Sequence, residues 1–191
     1  MNFLFNMYNS FFGWLERAVG PWFLPTLARF TFAATLLFYF WNSAWLKLGD
    51  GFGGIFNPSS GAYFQIYPRA VEAAGYDPEA LSAFHKLVVL AGTWAEFLLP
   101  ALIVFGLLTR LAALGMIGFV TLQTLTDLYG LRLIDEPDSM GAWFDRLSDG
   151  TIMDQRLLWM TVLTIPLFMG AGPLSLDRLL GRVRTDRHHP Q

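Results

Sequence analysis

Four long apolar runs constrain this chain more than any other feature. They cover residues 27–46, 87–109, 111–131 and 157–176, and each contains at most one charged side chain. A helix needs about 20 predominantly apolar residues to cross the hydrocarbon core of a bilayer. Four such runs in 191 residues, with only 15% of residues charged, leave too little polar surface for a soluble domain. The sequence therefore predicts an integral membrane protein.

The predicted fold is all-α, a membrane-embedded four-helix bundle in a single membrane domain over residues 1–181. The spans are predicted at about 27–48, 85–108, 110–131 and 154–172, followed by a flexible cytoplasmic tail at 182–191. Before the first span, apolar residues recur at helical spacing in a segment too polar to cross. This pattern indicates an amphipathic helix in the membrane interface, or one packed on the bundle or on a partner. The two long loops are rich in aromatic residues, and we expect them to form short helices over the outer end of the bundle.

The charge distribution predicts the orientation. Positive residues near span ends favour the cytoplasmic side. The short link between the second and third spans carries Arg110, and the C-terminal segment carries four arginines, whereas both long loops are acidic. Both termini are therefore predicted to be cytoplasmic, in a multi-pass protein of the cytoplasmic (inner) membrane of a bacterium or archaeon.

Several classes of chemistry are disfavoured by what the sequence contains. It has no cysteine, so this chain supplies no disulfide, thiolate metal site or thiol redox chemistry. The net charge of −2 gives no sign of nucleic-acid binding. His85 is the only histidine close to a span, so neither haem nor a catalytic metal is expected. No phosphate loop, nucleophile motif or dinucleotide-binding pattern is present.

Glu96 is the first candidate functional residue. It lies near the middle of the second predicted span, where a carboxylate must be either protonated or paired. Pro100 follows four residues later and removes a hydrogen bond to the Glu96 carbonyl, so two polar groups occur at one point of the helix. Glu96 is thus a candidate proton carrier or ligand anchor. The alternative is a structural hydrogen bond between helices.

Other polar residues fall in the same outer half of the predicted bundle. His85 lies close to three helical turns before Glu96, on the same side of the helix, with Gly92 leaving space between them. The full set of ligand-binding candidates is His85, Glu96, Gln123, Asp127, Asn42 and Thr161. Together they are predicted to line a polar-rimmed apolar cavity that suits a quinone, the one candidate cofactor. The alternative is that they only hold the helices together.

Three stretches of the chain resemble the DoxX family of small four-helix membrane proteins. The most specific is AEFLLP at residues 95–100 followed by GLLTRLAA at residues 106–113. The others are LARF at residues 27–30 with LKL at residues 46–48, and GAGPLSLD at residues 170–177. The positions that match the family pattern are Arg29, Lys47, Glu96, Pro100, Thr109 and Arg110. Asn42 and Ser43 stand where the family usually has a glycine, which is a departure.

The resemblance implies a four-helix fold, with Arg29 and Arg110 at the cytoplasmic boundary contacting each other's helices or lipid phosphate. Its best-known members are similar to the membrane subunit of thiosulfate:quinone oxidoreductase. The leading hypothesis is therefore a quinone-interacting subunit of a membrane oxidoreductase system, with a periplasmic or membrane redox partner and no established catalytic residue. Two alternatives are a non-enzymatic anchor for a periplasmic partner and a small transporter or copper-handling accessory using Met116 and Met160. A homo-oligomer is compatible with each of these hypotheses.

Overall fold

The computed structural model describes the backbone of residues 2–186 and the side chains of residues 3–181, and all regular secondary structure in this part is helical. No strand occurs within residues 2–186, so the all-α class is confirmed. The helices are α1 (Asn2–Ala18), α2 (Gly20–Lys47), α3 (Ser60–Ile66), α4 (Pro68–Ala73), α5 (Ala83–Phe105), α6 (Thr109–Gly130), α7 (Pro137–Met140), α8 (Met153–Met169) and α9 (Leu176–Asp186). Short 3-10 turns occupy Phe52–Ile55, Pro78–Ala80 and Leu133–Asp135.

Three helices, α2, α5 and α6, are long and apolar enough to cross a membrane, and α8 is shorter, with 17 residues. Only 33%, 28% and 22% of the most apolar windows of the three long helices are buried. The rest of their apolar surface faces outward. Exposed apolar area of this extent is foreign to soluble monomers but matches a lipid environment.

The helix boundaries differ from the predicted spans by a few residues, and glycine and proline explain most of the differences. Helix α2 begins at Gly20 rather than residue 27, because Pro21 falls in the first turn, where a missing N–H costs nothing. Helix α5 ends at Phe105 rather than residue 108, because Gly106 takes a left-handed conformation with φ 68°. Helix α8 ends at Met169, before Gly170 at φ 81°. Helix α9 extends into the predicted flexible tail, and residues 187–191 lie outside the described part.

The four long helices, α2, α5, α6 and α8, each pack against two of the others. Helix α2 packs against α5 and α8, and α6 packs against α5 and α8. Their shared interior is apolar and draws on all four helices, with the buried residues Phe32, Leu36, Phe40, Ile103, Ala112, Met116, Val120 and Leu163. Met116 is fully buried there, which is the space-filling role that methionine usually has in a core.

The segment between α2 and α5 has a small core of its own. Ala62 and Tyr63 of α3 and Val71 of α4 are buried together with Leu81 and with Val89 of α5. Asp77 accepts a hydrogen bond from the Glu79 N–H at 2.9 Å, as an N-cap. This cap belongs to the separate turn Pro78–Ala80, and α5 starts afterwards at Ala83.

At the opposite end of the bundle, Arg29 holds three chain segments together through main-chain carbonyls. Its Nε donates to the Ile103 carbonyl at 2.9 Å, and its Nη2 donates to the Val104 carbonyl. Its Nη1 donates to the carbonyls of Ala171 and Leu174 at 2.8 and 2.6 Å. The last carbonyls of a helix lack partners within the helix, so Arg29 satisfies groups that would otherwise be left unbonded.

Asp177 caps α6 at the same end. Its carboxylate accepts hydrogen bonds from the Leu108 and Thr109 N–H groups at 2.7 and 3.0 Å and from the Thr109 hydroxyl at 2.8 Å. Burial would raise the pKa of Asp177, but these bonds and the positive charge of Arg29 outweigh it and hold the pKa below its usual range. The Asp177 N–H in turn donates to the Gly106 carbonyl at 2.8 Å. The link between α5 and α6 is thereby fixed to the start of α9.

We predict that Gly106→Ala destabilises the protein by about 1–3 kcal/mol, because residue 106 needs a left-handed φ and has no room for a side chain. A Cβ there would lie 2.6 Å from the Ser175 Cβ and 2.9 Å from the Arg29 Cζ. The measurement is thermal unfolding of the detergent-solubilised protein, followed by tryptophan fluorescence. Gly118→Ala is the matched control, because a Cβ at residue 118 meets nothing within 4 Å. Equal effects of the two substitutions would contradict this account of Gly106.

Candidate functional site

Two separate groups of polar side chains lie between the helices of the bundle. The first, here called the Glu96 group, consists of Ser43, Lys47 and Glu96 between α2 and α5. The second, the Arg156 group, joins α2, α6 and α8 through Tyr39, Gln123, Asp127, Arg156 and Trp159. The predicted cavity that collects all the candidate residues is therefore divided into two polar groups and several isolated positions.

In the Glu96 group, the carboxylate is paired with a lysine. The Lys47 Nζ donates to Glu96 Oε1 at 3.0 Å and to Glu96 Oε2 at 2.9 Å, and it also donates to the Ser43 hydroxyl. The Lys47 and Glu96 side chains are only 4% and 5% exposed. Of the two states open to a carboxylate at this depth, the structure shows the paired one.

In the Arg156 group, a second ion pair links the buried Arg156 of α8 to the partly buried Asp127 of α6. The Arg156 Nη2 donates to Asp127 Oδ2 at 2.9 Å, and the guanidinium carbon lies 4.5 Å from the centre of the Trp159 ring. Asp127 lies in a π-helical turn that ends α6, at residues 126–130. Such wide turns alter the direction of side chains and occur often at functional sites.

Three buried polar atoms of the Arg156 group have no hydrogen-bond partner in the described part of the chain. They are the Nε and Nη1 of Arg156 and the Oε1 of Gln123. The amide nitrogen of Gln123 donates to the Tyr39 hydroxyl at 3.2 Å, so only the amide oxygen is left over. Buried polar atoms are nearly always bonded in native structures, and unpaired ones call for an explanation.

His85 lies apart from both groups. Its Nδ1 shares a hydrogen bond of 2.7 Å with the Ser82 hydroxyl, and its ring meets that of Tyr67 edge to face. The space that Gly92 leaves between His85 and Glu96 is occupied by Ile66 of α3, whose Cδ1 lies 3.4 Å from a Cβ built on Gly92. The predicted space between these residues is therefore filled by an apolar side chain.

Asn42 and Thr161 are at the surface of the bundle. The Thr161 hydroxyl donates to the Leu157 carbonyl of its own helix at 2.9 Å and is exposed. Asn42 is also exposed and makes no side-chain hydrogen bond to the described residues. It lines an aromatic groove on α2 and α5 together with Phe38, Trp41, Trp45 and Phe97. We call this the Asn42 groove.

The two arginines assigned to the cytoplasmic boundary have different surroundings. Arg29 is buried and bonded to carbonyls of the α5 end and of the turn after α8. Arg110 is exposed at the start of α6, where its Nε lies 3.5 Å from a Cβ built on Gly170. Both lie at one end of the bundle, but the hydrogen bonds of Arg29 go to the end of α5 and to the turn after α8 rather than to α6, the helix that carries Arg110.

Lys47 and Arg156 were not predicted from the sequence as the partners of Glu96 and Asp127. The sequence does contain a pattern that indicates these pairs. The second and third predicted spans each contain one carboxylate, Glu96 or Asp127. Lys47 and Arg156 lie near the predicted outer ends of the first and fourth spans. In the predicted orientation, Lys47 and Arg156 are both exceptions to the rule that positive residues collect at the cytoplasmic side. A basic residue on the unfavoured side, at the depth of a lone acid, indicates an ion pair between helices.

Neither a metal site nor a known relative identifies this arrangement. Within residues 2–186, no three His, Cys, Asp or Glu side chains come together as a metal ion would require. Comparison with known protein families, with characterised protein sequences and with solved structures finds no match to this chain. The DoxX assignment accordingly stays a prediction that rests on the sequence motifs.

We predict that Glu96→Ala destabilises the protein by about 3–5 kcal/mol, because it leaves the Lys47 ammonium buried without a counter-charge. The double variant Lys47→Met with Glu96→Leu buries no charge and is expected to unfold much closer to the wild type. Thermal unfolding in detergent measures both. A single variant as stable as the double variant would show that the pair has little influence on the fold.

Proposed function

We propose that this chain is a DoxX-like integral membrane protein that binds a quinone as a subunit of a membrane oxidoreductase system. In this proposal α2, α5, α6 and α8 all cross the bilayer as a four-helix bundle. Helix α1 lies in the interface, and the short helices of the two long loops lie at the outer end. The chain contains no cysteine, so a partner protein supplies any thiol chemistry.

The contacts of α8 support a fourth span despite its length. Seventeen residues extend about 25 Å, somewhat less than the roughly 30 Å of a bilayer core. Near its start, Arg156 pairs with Asp127 at the end of α6. Just beyond its end, Ala171 bonds to Arg29 near the start of α2. Helix α8 therefore reaches the same two levels as the longer helices beside it.

The exposed surface of α1 supports its placement in the interface. Every described side chain of α1 from Phe3 onward is exposed, including the large aromatic side chains of Phe3, Phe5, Tyr8, Phe11, Phe12 and Trp14. Aromatic side chains are favoured at the boundary between lipid and water. Packing of α1 on the bundle, the alternative considered from the sequence, would cover more of this surface.

We predict that Asp138→Cys is labelled by a membrane-impermeant maleimide in intact cells and that Arg178→Cys is labelled only after permeabilisation. Each introduced thiol is unique because the chain has no cysteine. Both positions are exposed, on either side of α8. Labelling of both in intact cells would show that α8 does not cross the membrane. The reverse pattern would invert the orientation.

The Asn42 groove carries the quinone proposal. Four aromatic side chains line it, two of them tryptophans, together with the amide of Asn42, which makes no hydrogen bond to the described residues. The indole N–H of Trp41 donates to the Phe97 carbonyl at 3.1 Å and fixes one wall. A quinone head requires an aromatic surface and one or two hydrogen-bond donors, and its tail requires an opening toward lipid. A groove on the outer surface of α2 and α5 meets both requirements.

Residues of the Glu96 group are sequence neighbours of residues that line this groove, on both helices. Ser43 follows Asn42 on α2, and Glu96 precedes Phe97 on α5. In the proposal, the Asn42 amide donates a hydrogen bond to a quinone oxygen. Glu96, held by Lys47 and Ser43, is the group positioned to exchange the quinol proton. The chain thus handles the quinone, while electron transfer begins in the partner.

We predict that gently purified wild-type protein retains quinone and that Asn42→Leu lowers the retained amount about tenfold, the effect of losing one well-made hydrogen bond. Mass spectrometry of extracted lipophilic molecules gives the measurement. Thr161→Val is the matched control, because it removes an exposed hydroxyl that already bonds to its own helix. Absence of quinone from folded wild-type protein would defeat the proposal.

A second candidate function, an anchor for a partner on the outer side, is favoured by one observation. Phe52 and Phe144, in the two long loops, are fully exposed. Exposed phenylalanines at these positions fit contact with another protein or with the membrane surface. A partner that co-purifies in stoichiometric amount, from preparations without quinone, would favour this function over the first.

A further inference from the structure

An open cleft of about 590 Å³ lies where the end of α6 meets α4. One wall is α4, which supplies Arg69 and Glu72, and the other wall is the end of α6 with the turn that follows it. The two walls touch at Gly130, where an added Cβ would lie 2.9 Å from the Pro68 ring. The cleft shares no residue with the Asn42 groove or with either polar group between the helices.

Each wall of the cleft carries one positive and one negative side chain. Arg69 and Glu72 stand three residues apart on α4, and Arg132 precedes Asp135 by three residues after α6. Glu72 faces Arg132 with Oε2 at 3.9 Å from Nη2, which is too long for a hydrogen bond. Arg69 and Asp135 have neither an ion pair nor a side-chain hydrogen bond within the described part of the chain. The cleft is therefore neutral as a whole, with one unmatched charge of each sign.

The charged side chains of the cleft are accessible to a ligand at the end of a membrane-length helix. The Arg132 and Glu72 side chains are 66% and 53% exposed, and those of Arg69 and Asp135 are exposed as well. Helix α6, which ends at the cleft, is one of the three helices long and apolar enough to cross a bilayer. Tyr129 and Ile134 expose apolar surface beside the charges. A molecule at the membrane surface would meet both kinds of side chain at once.

The backbone at Arg132 is strained in a way that places an arginine in this wall. Residue 132 has φ 63°, in the left-handed region that glycine adopts without steric cost and that bulky residues rarely adopt. Strained positions of this kind occur often where a side chain has a function. Arg132 is thus a position where glycine would suit the turn but would leave Glu72 without its facing cation.

The balance of charges selects the chemical class of the ligand. A simple anion or a simple cation would be attracted by two of the four charged side chains and repelled by the other two. A zwitterion can place its anionic group beside Arg69 and its ammonium beside Asp135. A primary ammonium donates hydrogen bonds to a carboxylate, whereas a quaternary ammonium has no N–H and is recognised by cages of aromatic rings. The described lining of the cleft contains one aromatic ring, that of Tyr129.

We propose that this cleft binds a zwitterion with an oxyanion and a primary ammonium, the pattern of an ethanolamine phospholipid headgroup. The phosphate accepts from the Arg69 guanidinium, and the ammonium donates to the Asp135 carboxylate. Tyr129 and Ile134 provide apolar contact for the glycerol and acyl part of the lipid. The site lies on α4 and α6, whereas the Asn42 groove lies on α2 and α5, so it does not depend on quinone binding there.

Native mass spectrometry of the full chain released from detergent measures the lipid preference. The probes are ethanolamine, choline and glycerol phospholipids with identical dioleoyl chains, offered in equal amounts. They differ only in the headgroup, which carries a primary ammonium, a quaternary ammonium or a net negative charge. We expect one ethanolamine lipid to be retained per chain, at about tenfold preference over the other two, the effect of one charge-assisted hydrogen bond.

Two variants locate the binding by changing the charge of the cleft. Asp135→Asn leaves two arginines against one carboxylate, so we expect the preference to move from the ethanolamine lipid to the anionic glycerol lipid. Arg69→Gln leaves two carboxylates against one arginine, so the preference for the ethanolamine lipid is expected to disappear with none gained for the anionic lipid. Asp138→Asn and Arg178→Gln are the matched controls, because both side chains are exposed and lie outside the cleft.

Soluble glycerophosphoethanolamine distinguishes the two sources of such a headgroup. If it displaces the retained lipid, the cleft recognises the headgroup alone, free or in a membrane. If it does not, the apolar part is needed and the ligand is the membrane lipid.

Three outcomes would overturn the proposal. Equal retention of the three lipids by the wild type would mean that the cleft has no headgroup preference. Preference of the wild type for the glycerol lipid would make the cleft an anion site. An ethanolamine preference that survives in both Asp135→Asn and Arg69→Gln would place the lipid elsewhere. Quinone is measured in the same preparations as a separate molecule, so failure of one proposal is distinguishable from failure of the other.

Discussion

The hydrogen bonds of Arg29 to main-chain carbonyls are the contacts on which one whole end of this bundle depends. Inside lipid no water is present to satisfy the carbonyls at a helix end, so the protein must do it. One guanidinium group meets this requirement for the end of α5 and for the turn after α8 at once. Asp177 meets the corresponding need of the N–H groups at the start of α6. The two residues thereby bring four segments of chain to one point.

The other end of the bundle is held by different means. There Lys47 with Glu96 and Arg156 with Asp127 join helices in pairs through side chains. At the Arg29 end, the guanidinium nitrogens all bond to main-chain carbonyls. In the Arg156 group, by contrast, two guanidinium nitrogens and one amide oxygen have no hydrogen-bond partner among the described residues. The Asn42 groove and the unpaired atoms of the Arg156 group lie in the same helices as these side-chain pairs. The end of the bundle that Arg29 holds is bonded mainly through main-chain groups.

Much of the fold follows from the sequence, because long apolar runs permit few alternatives to helices. The helix ends could not be predicted to the residue, because single residues such as Gly106 and Gly170 set them. The positive φ angles of these glycines do not follow from the spacing of apolar residues. The site was predicted only in part. Helical spacing gives the depth of a residue in the bundle but not which neighbour its helix face meets. Asn42 and Thr161 thus proved to be on the surface, and the ion pairs join residues 49 and 29 positions apart.

The way Arg29 is bonded has a consequence for how homologous sequences should vary. Its partners Ile103, Val104, Ala171 and Leu174 contribute only main-chain oxygens, so any side chain that packs acceptably can replace theirs. We therefore expect Arg29 to be constant among homologues, with no correlated substitutions at the positions of its four partners. The Lys47–Glu96 and Arg156–Asp127 pairs are bonded through side chains, so a change in one partner must be answered in the other. Correlated substitutions between positions in homologous sequences therefore reveal the ion pairs at one end of such a bundle, but not the hydrogen bonds of Arg29 at the other end.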